Sequence, residues 1–332
     1  MDNLTHTLFA ATLAATPMRA AGRGATFTIL LASNVPDIDI VTAFTGGAQE
    51  YLAAHRGFTH GPVGVAALAI ATAAAVRAAC RGARFGPLLG VSLLGVLLHV
   101  ALDLPTSYGT RLLSPFTETW YALDWLPIID VYLWIVLAVG TYLAWRRGAR
   151  PRAAAMTIGA MIAVYGIRAI AHDRALQRTS ASDVCVIRGV AAWQPGAKGA
   201  MPECSTSIAA LPRFHSPFEW RLIEHRGTEY RVSEVNVLSG TTTTPVRIAS
   251  AQGPLVTRAE SATVVRRFLD FSRHPVARTQ SRNGASAVTW HDLRFVSPAG
   301  PLKPDARPRG SLFSVSVVID ADGRIIDERF GE

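Results

Sequence analysis

Lysine is almost absent from this chain: of its 33 basic residues only Lys198 and Lys303 are lysines, the rest being arginines. Acidic residues are also few, 24 against those 33, which leaves a formal charge of +9. A nucleic-acid-binding face would gather such charge among interleaved aromatics on one soluble surface. Here much of it lies in short turns between apolar stretches, at Arg19 and Arg23, at Arg77, Arg81 and Arg84, and at Arg146, Arg147, Arg150 and Arg152, so no nucleic-acid partner is expected. No basic residue precedes the first apolar run, which His6 opens, so residues 1–20 do not read as a cleavable signal peptide. Cysteine is scarce too: Cys80 ends an apolar run, while Cys185 and Cys204 fall in the second half, where either a disulfide or two free buried thiols fit the spacing.

What is abundant is apolar sequence, 49% of the chain, concentrated in the first half. A bilayer core about 30 Å thick asks for about 20 mostly apolar residues per spanning helix. Pro62–Ala79, Gly86–Leu102, Ile128–Trp145 and Ala153–Ala171 approach that length. Two weaker segments precede them: Leu4–Met18 is short and Ala25–Phe44 is interrupted by Pro36, so each either spans thinly or belongs to a hairpin dipping into the bilayer. Every second loop is basic, the pattern that retains arginine on the cytoplasmic side. Residues 46–61, residues 104–127 and everything beyond about residue 172 are then outside.

The second half reads differently. Glu219–His225 and Glu229–Val237 alternate as strands about an Arg226-Gly227-Thr228 turn, and Ser311–Ile319 and Arg324–Phe330 repeat the arrangement around Asp320-Ala321-Asp322-Gly323. Ser286–Val296 reads as a further strand, Pro298–Pro308 as a loop, and Arg258–Arg273 as an amphipathic helix burying Val264, Val265, Phe268, Leu269 and Phe271. No catalytic motif accompanies them, and His215, His225, His274 and His291 are scattered singly. The expected fold is an α-helical membrane protein with about six transmembrane or membrane-embedded helices over residues 1–172, followed by an extracytoplasmic soluble α+β domain over residues 173–332.

On that topology, separate segments deliver His and Asp to one side: His6, the Asn34-Val35-Pro36-Asp37-Ile38-Asp39 run, the His55-Arg56-Gly57-Phe58-Thr59-His60 loop, and His99 with Asp103. Ionisable groups at membrane depth face a cavity or one another, and several together call for a compensating charge. A divalent cation supplies it, zinc first, with manganese or iron as alternatives, because imidazole nitrogen and carboxylate oxygen suit all three. His99 and Asp103, four apart, share a helix face. Asp37 and Asp39, two apart, diverge on a regular helix, but Pro36 disrupts the hydrogen bonding and lets both turn inward. Asn34 would orient a carboxylate, and Gly57 would allow the tight turn of the loop. Asp124 and Asp130 stay ambiguous, the latter also fitting a helix N-terminus.

Taken in order, Asp2 to Thr7, Asn34 to Asp39, His55 to His60, His99 to Asp103 and Ser114-Pro115-Phe116 followed by Asp124-Trp125 and Asp130 resemble the YdjM-type family of bacterial inner-membrane proteins, described as membrane-bound metal-dependent hydrolases. The resemblance covers about residues 1–170 and implies a hydrolase. A fainter likeness is to bacterial zinc phospholipase C, whose cluster uses an N-terminal group, an Asp, a His and an HxxxD pair in that order. His6, Asp37 or Asp39, His60, His99 and Asp103 would occupy comparable places, whereas its later histidines and glutamate have no counterpart here.

The expected function is therefore metal-assisted hydrolysis at the outer face of the inner membrane, on a lipid, lipid-linked or phosphoester substrate. Ligands would be His6, Asp37, Asp39, His60, His99 and Asp103. His55, or a carboxylate such as Asp39, would be the general base, and Arg56 would hold an anionic substrate. The alternatives are a metal-ion or small-solute transporter, which needs ionisable residues continuing toward the other membrane face, and a membrane-anchored partner-binding protein with a structural metal.

Overall fold

The computed structural model describes residues 1–178, 185–186, 189–196, 206–282, 284–296 and 313–331. The chain divides into two compact units, one of Met1–Ile40, His55–His172 and Pro212–Phe218, the other of Val41–Ala54, Asp173–Leu211 and Glu219–Glu332. Two segments thus cross the boundary that composition draws at residue 172.

The first unit is helical: α1 (Asn3–Ala14), α2 (Ala25–Ala32), α4 (Pro62–Ala79), α5 (Phe85–Asp103), α6 (Val131–Trp145) and α7 (Pro151–Leu176), with a short strand β1 (Trp120–Ala122); α3 (Val41–Ala54) belongs to the second unit. Among the described residues three helices, α4, α5 and α7, are long and apolar enough to cross a membrane, and a fourth span exists if α2 and α3, bent by 49°, count as one. Six full spans are not what the helix lengths give. At 1.5 Å per residue α1 rises about 18 Å and α2 about 12 Å, well short of the hydrocarbon core. Their stops are legible: Pro17 follows α1, and Pro36 removes a backbone donor just beyond α2. Val131–Trp145 is a shorter apolar helix.

Caps and small residues fix the packing. Asp2 accepts from the Thr5 amide at 3.1 Å to start α1, Pro62 occupies the first turn of α4, and Asp130 accepts from the Tyr132 and Leu133 amides to start α6. Asp130 also pairs with buried Arg168 of α7, which donates to the Ser216 carbonyl at 2.9 Å. A methyl on Gly95 would lie 2.7 Å from the Ala32 Cβ, so this glycine lets α5 meet α2. The basic turns share one end of the bundle: Gly24 lies against Val76 and Cys80, and Ala15 clusters with Ala144 and Ala154.

In the second unit α8 (Pro254–Ala259) and α9 (Thr263–Phe271) accompany two sheets. With β2 (Cys185–Val186), β3 (Ala191–Trp193), β4 (Thr206–Arg213), β5 (Ser216–Arg226), β6 (Glu229–Asn236), β7 (Val246–Ala249), β8 (Pro275–Arg282), β9 (Ala285–Asp292), β10 (Ser314–Ile319) and β11 (Ile325–Phe330), the orders are β2-β4-β5-β6-β7 and β11-β10-β9-β8. The expected hairpins are present as β5–β6 and β10–β11. The amphipathic helix is broken in two, because the Ser261 hydroxyl bonds the Arg258 carbonyl at 2.7 Å and competes with the helical ladder. Its expected apolar face, Val264, Val265, Phe268, Leu269 and Phe271, is buried. α3 packs on α9, with Glu50 paired to Arg267. Cys204 and Pro298–Pro308 lie outside the described residues, as does the side chain of Cys185.

His274 and His291 are buried in this unit, and neither ring nitrogen of His274 has a hydrogen-bond partner among the described residues. Burial, with Arg273 and Arg294 beside it, holds the His274 imidazole well below its ordinary range, and burial with Arg278 brings His291 to about 4. Both stay neutral when folded, whereas the unfolded chain takes up their protons near pH 6.5. Stability is therefore full above about pH 6.5 and falls as the pH drops toward the folded values. Denaturant titrations of the full chain followed by tryptophan fluorescence at about pH 7.5 and 5.5 should show this loss, and His274→Leu should make it shallower. An unchanged slope would place the acid sensitivity elsewhere.

Candidate metal centre

The site lies at the end of the helical unit opposite the basic turns. Beyond α2 the chain winds as a three-ten turn over Val35–Ile40. Residues two apart are about 160° apart on an α-helix but about 120° apart on three residues per turn. The tighter winding brings Asp37 and Asp39 both inward, while Ile38 and Ile40 are half exposed. In the following loop the left-handed residue is Arg56, at φ 55°, rather than Gly57, whose φ is −98°. The conformation is held from both sides: the Arg56 amide donates to Asp39 Oδ2 at 3.2 Å, and its carbonyl accepts from the Arg111 amide at 2.9 Å. A second three-ten turn, Phe58–His60, then aims His60 inward. Gly61 lets the Ser114 backbone close over it, since a Cβ there would lie 1.8 Å from the Ser114 carbonyl oxygen.

Four side chains meet. His60 Nε2 is 3.2 Å from His99 Nε2, 3.1 Å from Asp103 Oδ2 and 3.8 Å from Asp37 Oδ1. His99 Nε2 is 3.5 Å from Asp37 Oδ1 and 3.4 Å from Asp103 Oδ2. Ligand bonds of 2.0–2.2 Å in tetrahedral geometry put donor atoms about 3.3–3.6 Å apart, so this quartet already has the dimensions of a cation site. Asp37, Asp39 and His55 form a second group close enough to hold an ion, sharing Asp37 with the first.

The surrounding hydrogen bonds orient the donors. His99 Nδ1 donates to the Ser33 carbonyl at 2.8 Å, which leaves its Nε2 lone pair facing the quartet. Thr59 Oγ1 donates to Asp39 Oδ2 at 3.1 Å and accepts from His60 Nδ1 at 2.9 Å, fixing the same tautomer in His60. His55 Nδ1 lies 2.9 Å from Asp39 Oδ1. Such outer partners are the ordinary accompaniment of imidazole ligands.

The other oxygen of Asp103 faces three nitrogen groups. Arg56 reaches it at 3.0 Å, the Met1 amine bonds it directly, and His6 Nε2 is 3.3 Å away. His6 is fully buried and stacks on His99 with ring centroids 3.8 Å apart. Neither of its ring nitrogens has a hydrogen-bond partner among the described residues. Arg56 is itself only 1% exposed, and it donates further to Thr106 Oγ1 at 2.8 Å and lies over the Tyr108 ring at 4.8 Å. The structure thus turns Arg56 toward Asp103, where the sequence suggested a residue facing substrate.

All the residues singled out in the motifs, His6, Asp37, Asp39, His55, Arg56, His60, His99 and Asp103, come together within this unit. Asn34 does not orient a carboxylate with its side chain: its amide donates to the Leu30 carbonyl and its oxygen accepts from Thr7. Asp130 caps α6 and pairs with Arg168 instead. Thr59, Ser33, Thr106 and Tyr108 were not anticipated, and their residue types carry no signal that distinguishes them from ordinary loop and helix-end residues. Thr59→Val removes the hydroxyl that fixes His60 and should weaken binding of Zn²⁺ by about 10- to 100-fold without unfolding the protein, while Thr59→Ser should retain it. Metal titration of the detergent-solubilised chain, beside its melting curve, measures both.

YfhP of Bacillus subtilis (strain 168), an uncharacterized protein, is 35% identical over 106 residues, which are 32% of this chain and 32% of that one. The matched region thus spans about a third of that relative. No solved structure matches. The family model of the YdjM inner membrane proteins matches residues 1–175, which take in the whole His and Asp cluster. The chain belongs to the YdjM inner membrane protein family.

Proposed function

We propose that this protein is a membrane-bound metal-dependent hydrolase acting at the outer face of the inner membrane, on a lipid or phosphoester substrate. The observation that carries the reading is the quartet of Asp37, His60, His99 and Asp103, whose donor atoms converge at ligand spacing with both imidazoles turning Nε2 toward the other members. In this reading α1 and α2 form a membrane-embedded hairpin, α4 to α7 cross the bilayer, and the residues beyond 172 form the extracytoplasmic domain. The basic turns gathered at the far end of the bundle support that orientation.

The quartet would hold one divalent ion, zinc before manganese or iron, and His6 stands by on the opposite oxygen of Asp103. A bound ion of this kind supplies Lewis acidity, lowering the pKa of water at the site and polarising the scissile group. Ser33 and Thr59 hold the two ligand imidazoles in the right tautomer. His55, with Nδ1–H directed to Asp39, is oriented to accept a proton at Nε2 from an attacking water. Arg56 balances the buried charge of Asp103, and anion recognition then falls to the ion and the mouth of the site.

A carrier needs a polar track to the other face. Immediately beneath the site, however, Ala32, Val65, Ala69 and Val96 form an aliphatic cluster, followed by Ala73, Val76 and Leu88. This seal favours chemistry at one face over passage through the bundle. Metal analysis of the detergent-purified chain, followed by a panel of phosphoester and lipid-ester substrates, tests the proposal. His99→Ala and Asp103→Ala should each lose the ion together with turnover, and retained metal in the H99A/D103A double variant would refute the ligand assignment. His55→Gln should keep the metal and lose turnover by about 100- to 10,000-fold.

A further inference from the structure

The residues of the centre that keep some exposure are Asp37, Asp39 and His55, whereas His60, His99 and Asp103 are sealed. The open side is therefore the side of the Val35–Ile40 turn. That turn alternates carboxylates facing in with isoleucines facing out, Ile38 at 52% and Ile40 at 50% exposure. Two further loops add the same feature. Phe58, two residues before His60, is 52% exposed, and Leu113 and Phe116, at 45% and 75%, flank the Ser114 backbone that closes over Gly61. A polar pocket framed by unpartnered aliphatic and aromatic side chains does not suit a mouth that opens to water.

The depth of these loops follows from the helices beside them. α4 starts at Pro62, two residues after His60, and α5 ends at Asp103 itself. Both are 18- or 19-residue candidate spans, so the centre lies where the hydrocarbon core ends. Below it the outward apolar surface continues down the same helices through Val63, Ile70, Leu93 and Leu97. We infer that Ile38, Ile40, Phe58, Leu113 and Phe116 form a lipid-embedded rim at headgroup level, so that the centre receives a bilayer-resident molecule whose polar group meets the ligands while its chains stay in the leaflet. The occupant of the rim is lipid, because the chain runs from Phe58 directly into α4, whose exposed side chains Val63 and Ile70 are apolar like those of the rim. The inference rests on the membrane placement of this unit and not on hydrolysis, so it can fail while metal binding stands, and the reverse.

Photo-crosslinking of the full chain in vesicles of phosphatidylethanolamine and phosphatidylglycerol tests it. p-Benzoylphenylalanine replaces Phe58 or Phe116 in separate variants, with Ile70 of α4 as the lipid-facing reference and Ile326 of β11 as the solvent reference. The expected result is a mass increase of one phospholipid at positions 58 and 116, at a yield like that of position 70 and well above that of position 326. Since both rim side chains are exposed, the larger group fits without repacking, and a melting curve like that of the unaltered chain verifies that each variant is folded. Yields at the level of position 326 would put the rim in water. Protein–protein adducts in place of lipid would mean that it is covered by the second unit or by another copy of the chain, and either result overturns the inference.

Discussion

The helical unit is organised around one buried carboxylate. Asp103 has no exposure to water, and a carboxylate so placed is tolerated only when every lone pair meets a donor or a cation. Its two oxygens are served differently. Oδ1 faces the Arg56 guanidinium and the Met1 amine, and these tie the start of α1 and the His55–His60 loop to the end of α5. Oδ2 faces the Nε2 atoms of His60 and His99, at 3.1 and 3.4 Å. One side of the carboxylate is therefore structural, and the other is left for a cation.

That division explains why two helices are too short to span. α1 starts at the level of the centre, where the Met1 amine and His6 meet Asp103, and α2 ends there, with Ser33 and the three-ten turn following it. Longer helices would carry these groups past the boundary at which α4 starts and α5 ends. The shortness sets the depth of the site, and Pro36, just beyond the end of α2, acts on function through geometry.

Much of this was legible in the sequence, for reasons that differ by element. HxxxD was readable because helical period alone places His99 beside Asp103. The two carboxylates near Pro36 were readable because proline announces a break in the ladder. Arg56 was not: a guanidinium between two histidines has the same appearance whether it faces substrate or a buried Asp103, and only the fold, which requires a left-handed residue there, decides. Thr59 was hidden for a similar reason, its importance residing in a bridge between the adjacent His60 and the distant Asp39. Among the strands, β4 (Thr206–Arg213) is almost continuously buried and lacks the alternation that marks a half-exposed strand, and β8 starts at a proline and runs into polar residues.

The same physics accounts for a connection that would otherwise be puzzling. α3 departs from the site after Ile40, packs in the second unit against α9, and returns at His55. Its two ends are joined at the neck by the 2.9 Å contact between Asp39 and His55 and by the Arg56 amide on the same carboxylate. Once the neck is closed, the residues beyond it no longer bear on the geometry of Asp37 and His60, and loop-closure entropy changes only slowly with the length of the excursion. The centre thus keeps its dimensions while fourteen residues between two of its motifs serve a different unit. Asp39 belongs to the architecture of the site as much as to its chemistry: without a carboxylate able to accept from His55, Arg56 and Thr59 together, the excursion would have no fixed base.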